Sequence, residues 1–228
     1  MKRLQLLVAI LLLFGTTTAY SDHHEEGFVS IFDGKTLDGW DGNPKFWSVE
    51  DGAITGKTTP DNPTKGNTFI IWRKKDVGNF ELRLKYKIVG GNSGIQYRSK
   101  DHGDWVVGGY QADIDSKDTY SGINYDERGR GILALRGEMV IWHPKKIVLG
   151  SLGDSKEINS VIKKEDWNDY TIIAHENQLI HIINGRVTSQ TIDSDTENAE
   201  KSGILAFQLH AGPPMTVQFK DIRIRAHE

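Results

Sequence analysis

Three short segments concentrate side chains that can bind a polar ligand or move protons. In Tyr110–Asp115 the order Tyr-Gln-Ala-Asp-Ile-Asp alternates apolar and polar residues. A strand sends successive side chains to opposite faces, so Gln111, Asp113 and Asp115 share one side, and Tyr110, Ala112 and Ile114 share the other. In Gly94–Arg98 the same rule pairs Gln96 with Arg98, and Ile95 with Tyr97. In Ile204–His210 it pairs Gln208 with His210, opposite Leu205, Phe207 and Leu209. These polar faces carry amides, carboxylates, a guanidinium and an imidazole, without the long lysines that solvate an ordinary exposed strand. Sugar hydroxyls need donors and acceptors in pairs, and these groups supply both. A carboxyl group and an imidazole on one face also provide for proton transfer.

Other segments carry chemistry of lower specificity. Tyr120–Gly131 reads as a loop dense in functional groups (Tyr125, Asp126, Glu127, Arg128 and Arg130), placed to close over one end of a groove. His210 runs into Ala211-Gly212-Pro213-Pro214, a stiff turn that fixes the strand end. His175 and His181 flank a hairpin turn and read as structural, and Trp40, Trp72, Trp105 and Trp142 read as core rather than as sugar platforms. Asp193-Ser194-Asp195-Thr196-Glu197 has the alternating oxygens of a calcium loop but lacks its sixth-position glycine and twelfth-position glutamate. There is no glycine-rich phosphate loop, serine elbow or His-Glu-x-x-His run. The chain has no cysteine, which excludes disulfides and thiolate metal sites. Any divalent metal would therefore rest on oxygen and imidazole, and the sequence leaves the need for one open. The net charge is −3 with scattered basic residues, which argues against a nucleic-acid partner.

The elements that must position these groups are strands. Phe80, Leu82, Leu84, Tyr86 and Ile88 alternate with Glu81, Arg83, Lys85 and Lys87, the period of a half-buried strand. Tyr170–Ala174 and Leu179–Ile183 form a hairpin about Glu176-Asn177, and Asn184-Gly185 leads into Val187–Ile192 as the strongest hairpin turn in the chain. Val217, Phe219, Ile222 and Ile224 form a last strand with an irregularity between Phe219 and Ile222. Only Ser155–Asp166 has room for a helical turn. The longest loops are expected at Thr58–Gly66, Lys100–Gly108, Ser116–Arg130 and Lys145–Lys164. Many short strands with frequent glycine indicate an all-β, two-sheet antiparallel sandwich.

At the N-terminus, Lys2 and Arg3 precede an apolar run, Leu4–Phe14, and small or hydroxylic residues up to Ala19. This reads as a secretory signal peptide covering 1–19. The apolar run is about half of the ~20 residues that a membrane span needs. Residues 20–27, with His23-His24 beside Glu25-Glu26, read as a flexible tail, and 28–228 as one domain. Export without cysteine fits a bacterial periplasm, cell surface or exterior.

A series of motifs runs through the chain in order: Phe32-Asp33-Gly34-Lys35-Thr36-Leu37-Asp38-Gly39-Trp40, Trp47-Ser48-Val49-Glu50-Asp51-Gly52, Asn79-Phe80-Glu81-Leu82, Gly91-Asn92-Ser93-Gly94, Gly109-Tyr110-Gln111-Ala112-Asp113, Trp167-Asn168-Asp169-Tyr170 and Phe219-Lys220-Asp221-Ile222-Arg223-Ile224. In these the chain resembles the 3-keto-disaccharide hydrolase domain family. The resemblance implies a concanavalin-like jelly roll and an exported enzyme acting on 3-keto-glycosides. The paired glutamates of laminarinase-type retaining glucanases are absent, their strand carrying Gln111, Asp113 and Asp115 instead, which speaks against ordinary double displacement.

A ketone at C3 acidifies the C2 proton. A base can remove it, and the enolate then expels the C1 oxygen. That route needs a base, a group to stabilise the enolate oxygen and an acid at the leaving oxygen. The expected catalytic residues are Asp113, Glu127 and His210: His210 or Asp113 as base, Glu127 as acid. Arg98 or Arg128 would face the enolate oxygen, unless a metal on Asp113, Glu127 or His210 does so. Asn92, Gln96, Gln111, Tyr125 and Gln208 would bind the substrate. The competing readings are a non-catalytic carbohydrate-binding module, a conventional glycosidase and a laminin-G-like adhesion domain. Oligomeric state is not legible.

Overall fold

The computed structural model describes residues 27–227. The expected signal peptide and, but for Gly27, the expected tail lie outside the described residues. In chain order the strands are β1 (Val29–Ser30), β2 (Trp40–Gly42), β3 (Trp47–Glu50), β4 (Ala53–Lys57), β5 (Thr68–Val77), β6 (Phe80–Val89), β7 (Asn92–Asp101), β8 (Val107–Asp115) and β9 (Asn124–Glu127). They continue with β10 (Gly131–Ala134), β11 (Glu138–Trp142), β12 (Lys146–Ser151), β13 (Asn168–His175), β14 (Gln178–Ile183), β15 (Arg186–Asp193), β16 (Gly203–Leu209) and β17 (Thr216–Ala226). One helical turn, α1, spans Ser155–Asn159 and is capped by Asp154.

The strands form two sheets. The larger runs β12-β11-β15-β14-β13-β6-β17-β4-β3, with β1 on β17; the smaller runs β10-β9-β8-β7-β16-β5-β2. Pairing is antiparallel except between β11 and β15, which are parallel. The expected sandwich is therefore present with that one departure. Its core lies between the sheets, where Leu82, Leu84, Tyr86 and Ile88 of β6 meet Ile95 and Tyr97 of β7, Tyr110, Ala112 and Ile114 of β8, and Leu205, Phe207 and Leu209 of β16. Phe207 stacks on Trp40 within its own sheet and on Phe219 of the opposite one, with centroid separations of 4.9 and 4.0 Å.

Turn chemistry follows the sequence closely. Asn184 and Gly185 both have positive φ, 47° and 77°, as the tight β14–β15 hairpin demands. The expected irregularity in β17 is a register shift between Lys220 and Arg223. Three expected loops are shorter than their sequences suggested. Lys100–Gly108 narrows to residues 102–106, because β7 and β8 extend to Asp101 and from Val107. Lys145–Lys164 contains the edge strand β12. Ser116–Arg130 contains β9, which pairs with β8 by placing Tyr125 opposite Gln111 and Glu127 opposite Gly109. The charged residues of that segment hid its alternation, which becomes legible only once its partner strand is known.

Candidate active site

The smaller sheet turns one face to the core and the other to a pocket. Across that second face the register aligns a row of residues: Ile132 opposite Tyr125, Tyr125 opposite Gln111, Gln111 opposite Gln96, and Gln96 opposite Ala206. Asp113 stands two residues further along β8, opposite Gly94. Gly94 is required there, since a Cβ at that position would fall inside the Gln111 side chain. A cavity of about 410 Å³ opens over this face, and Asn92, Gln111, Asp113, Tyr125, Glu127 and His210 line it. The structure thus gathers the three expected catalytic residues and three of the expected binding residues from β7, β8, β9 and the end of β16.

A one-way chain of hydrogen bonds orients Asp113. Ser99 Oγ donates to Gln96 Oε1 at 2.6 Å, Gln96 Nε2 to Gln111 Oε1 at 2.8 Å, and Gln111 Nε2 to Asp113 Oδ1 at 2.8 Å. Gln96 and Gln111 are fully or almost fully buried, so each amide is held in one orientation by its neighbours. Burial pushes the Asp113 carboxyl well above the usual carboxylate range; the Gln111 donor opposes this, and the charges of Asp115 and Glu127 add to it. Asp113 is therefore built to hold a proton.

Glu127 sits in the opposite kind of setting. Asn67 Nδ2 faces one carboxyl oxygen at 3.4 Å and Gln208 Nε2 faces the other at 3.5 Å. Two amide donors suit an acceptor-only carboxylate, so the two carboxyl groups of the cavity stand in different surroundings. The ring of His210 is fixed by its own turn: Nδ1 lies 2.5 Å from the Ala211 carbonyl. An N–H donated there leaves Nε2 as the acceptor of the ring. Burial raises the Tyr125 phenol above its ordinary range, helped by the charges of Glu127 and Asp113, so Tyr125 keeps its hydroxyl proton and remains a donor.

Two expected residues lie elsewhere. Arg98 does not share a face with Gln96: φ at Arg98 is 47°, and the β7–β8 register shifts between Tyr97 and Lys100. This bulge breaks the alternation and carries the guanidinium away from the pocket. There it donates to the Gly78 carbonyl at 2.8 Å, the Glu176 carbonyl at 2.7 Å and Asn79 Oδ1 at 3.1 Å. Arg128 occupies the exposed β9–β10 turn, also with positive φ, and its side chain reaches towards Gly108. Gln96 and Gln208 act behind the lining, through Gln111 and Glu127.

Asn67 was missed by sequence reasoning. Its Oδ1 accepts from the Ala211 N–H at 3.0 Å while its Nδ2 faces Glu127, so it ties the His210 turn to the carboxylate. A lone asparagine between a loop and a strand carries no local signal. Tyr120, Ile123 and Ile132, which also line the cavity, were missed for the same reason. His181 is structural, as expected: Nε2 lies 2.9 Å from the Tyr97 hydroxyl and Nδ1 3.2 Å from the Ile123 carbonyl. The Asp193–Glu197 segment serves an ion cluster, in which Arg130 meets Asp126, Asp193 and Asp195 at 2.9, 2.6 and 3.3 Å. Among the described residues no group of three or more histidines and carboxylates is arranged to hold a metal.

Comparison with known proteins adds a family. The model of the 3-keto-alpha-glucoside-1,2-lyase-like domain matches residues 27–225. The chain belongs to that family. It is 36% identical over 86 residues to a 3-keto-disaccharide hydrolase of Bacteroides thetaiotaomicron, a stretch covering 33% of this chain and 29% of that relative. The match thus spans less than a third of the length of that relative. Among solved structures, a candidate glycosyl hydrolase of Parabacteroides distasonis aligns with a TM-score of 0.59 at 21% identity, over 88% of this chain and 99% of that one. The carbohydrate binding module CBM66 of Bacillus subtilis aligns at 0.56 and 13% identity, over 82% and 96%. At these identities the two structures speak for the fold alone.

Proposed function

We propose that this protein is an exported enzyme that cleaves 3-keto-glycosides, including 3-keto-disaccharides, by elimination next to the ketone, with or without subsequent hydration. The observation that carries the reading is the contrast within one cavity: a carboxyl group held protonated, a carboxylate faced by amides and an imidazole with an open Nε2. His210 Nε2 takes the proton from C2. The electrons form the enolate, C2=C3–O⁻, and Tyr125 and Asn92 offer N–H and O–H donors to its oxygen. As the ketone re-forms, C1=C2 forms and the C1–O bond breaks, and Asp113 delivers its proton to the departing oxygen. Glu127 offsets the charge that His210 gains. Water added across C1=C2 then gives net hydrolysis. No glycosyl-enzyme bond is made, in keeping with the absence of paired glutamates. The basic start and apolar run at Lys2–Phe14 support export to a bacterial periplasm or surface.

The deciding experiment incubates the mature protein in D₂O with a 3-keto-disaccharide and its unoxidised parent, with and without chelator, and follows products by NMR. The expected result is cleavage of the keto sugar alone, giving either the C1=C2 product or a hydrated sugar with deuterium at C2. Replacing His210 with Gln should lower turnover by roughly 10²–10⁴-fold. Cleavage of both sugars at similar rates, or retention of the C2 proton in the product, would overturn the proposal.

A further inference from the structure

The polar floor of the pocket has an apolar counterpart along one side. Ile132 and Tyr125 are direct partners in the β9–β10 register, which places their side chains on one face roughly 5 Å apart. Ile123 and Tyr120, from the segment joining β8 to β9, line the same cavity. Tyr120 and Ile132 retain 46% and 37% exposure. Apolar side chains left open at the rim of a polar cavity offer a surface that a ligand can cover. Tyr125 stands at the boundary, its ring beside Ile132 and its hydroxyl within the influence of Glu127 and Asp113.

The two ends of the cavity therefore ask for different halves of one substrate. Asn92, Gln111, Asp113, Glu127 and His210 can satisfy the oxygens of a keto-sugar. Ile132 can satisfy none, so a second sugar ring set against it would lose hydrogen bonds to water without replacement. A flat aromatic ring loses nothing there, and tyrosines add offset or edge-on ring contacts.

We propose that this wall is the leaving-group subsite, and that it takes a planar aromatic aglycone in preference to a second sugar. The inference rests on the 3-keto-glycoside reading and specifies what lies beyond the C1 oxygen.

Two measurements separate the wall from the reaction. The first compares binding of phenyl and methyl glucosides, both anomers and unoxidised, by calorimetry. The wild type should hold one phenyl glucoside about tenfold tighter than its methyl counterpart, the gain expected from covering part of one ring. Ile132→Ser and Tyr120→Ser, each checked for folding by circular dichroism, should remove most of that ratio. The second compares kcat/KM for 3-keto phenyl glucoside, 3-keto methyl glucoside and a 3-keto-disaccharide, with the phenyl compound expected to lead. Equal binding of phenyl and methyl glucosides by the wild type, an unchanged ratio in both variants, or a lead for the disaccharide would overturn the proposal. If the phenyl preference stands in binding while no keto-glycoside is turned over, the reaction assignment fails and the aromatic subsite survives.

Discussion

At the scale of single residues, the site turns on how differently its two carboxyl groups are housed. Asp113 is shut away from water and Glu127 faces amide donors. Linkage gives the first a measurable consequence. The folded pKa of Asp113 lies above that of the unfolded chain, near 3.9 for an ordinary aspartate. Between those two values the folded state holds a proton that the unfolded state has released, so stability is present at low pH and declines as pH rises towards the folded pKa. Asp113→Asn removes this decline. In urea unfolding across pH 4–8, the variant should lose stability less steeply than the wild type, by up to roughly 1.4 kcal/mol per pH unit for one proton. The same variant should lose at least about 100-fold in turnover if Asp113 is the acid. Identical pH slopes would show that Asp113 ionises in the fold as freely as in the unfolded chain. Sequence alternation alone placed Gln111 and Asp113 together; it could not say that the Asp113 carboxyl is buried, because desolvation depends on the strands and loops packed around it.

At the scale of elements, β7 does two jobs because of one bulge. Up to Tyr97 its residues alternate as a strand should, and Gln96 joins the pocket's supporting row. At Arg98 the backbone enters a left-handed conformation, and the next polar side chain swings to the opposite end of the sandwich to tie the β5–β6 and β13–β14 turns. The bulge also brings the Ser99 hydroxyl onto Gln96, where it starts the hydrogen-bond chain to Asp113. Ser99→Ala leaves the Gln96 and Gln111 amides without a fixed direction, and a turned Gln111 would present its oxygen to Asp113. That withdraws the one hydrogen bond holding the Asp113 pKa down. The alkaline limb of the rate–pH profile should therefore move to higher pH, and kcat should fall about tenfold for a lost buried hydrogen bond. Loss of thermal stability with an unmoved pH profile would make Ser99 a packing residue only.

At the scale of the whole molecule, the two sheets are coupled through aromatic stacking and through polar groups sealed inside the sandwich. His181 of β14 reaches across to Tyr97 of β7, and burial depresses its pKa from 6.5 to about 3. Its folded value lies below its unfolded one, so its contribution to stability is complete above pH 6.5. It is lost as pH falls from there towards 3, where the unfolded chain takes up a proton that the fold refuses. His181→Gln should flatten the acid side of the stability curve by up to roughly 1.4 kcal/mol per pH unit, even if it lowers stability at neutral pH. A wild-type curve with no slope between pH 6 and 4 would contradict this. The Arg130 cluster makes a second link, joining the β9–β10 turn of the smaller sheet to β15 of the larger one.

The sequence alone determined the parts that depend on local physics. Period-two alternation marked most of the strands and most of the residues that face the core, Asn184-Gly185 set its hairpin, and the motifs pointed to the family. It also assembled most of the site, because Gln111 with Asp113 and Gln208 with His210 are each two apart on one strand. Tertiary structure decided what alternation cannot carry. A single positive φ at Arg98 reversed the facing of everything after it in β7. The pairing of β9 with β8 turned an apparent loop into the wall that holds Tyr125 and Glu127. Asn67 reached the site from far along the chain. Burial, which no residue carries in its own identity, set the surroundings of Asp113 apart from those of Glu127.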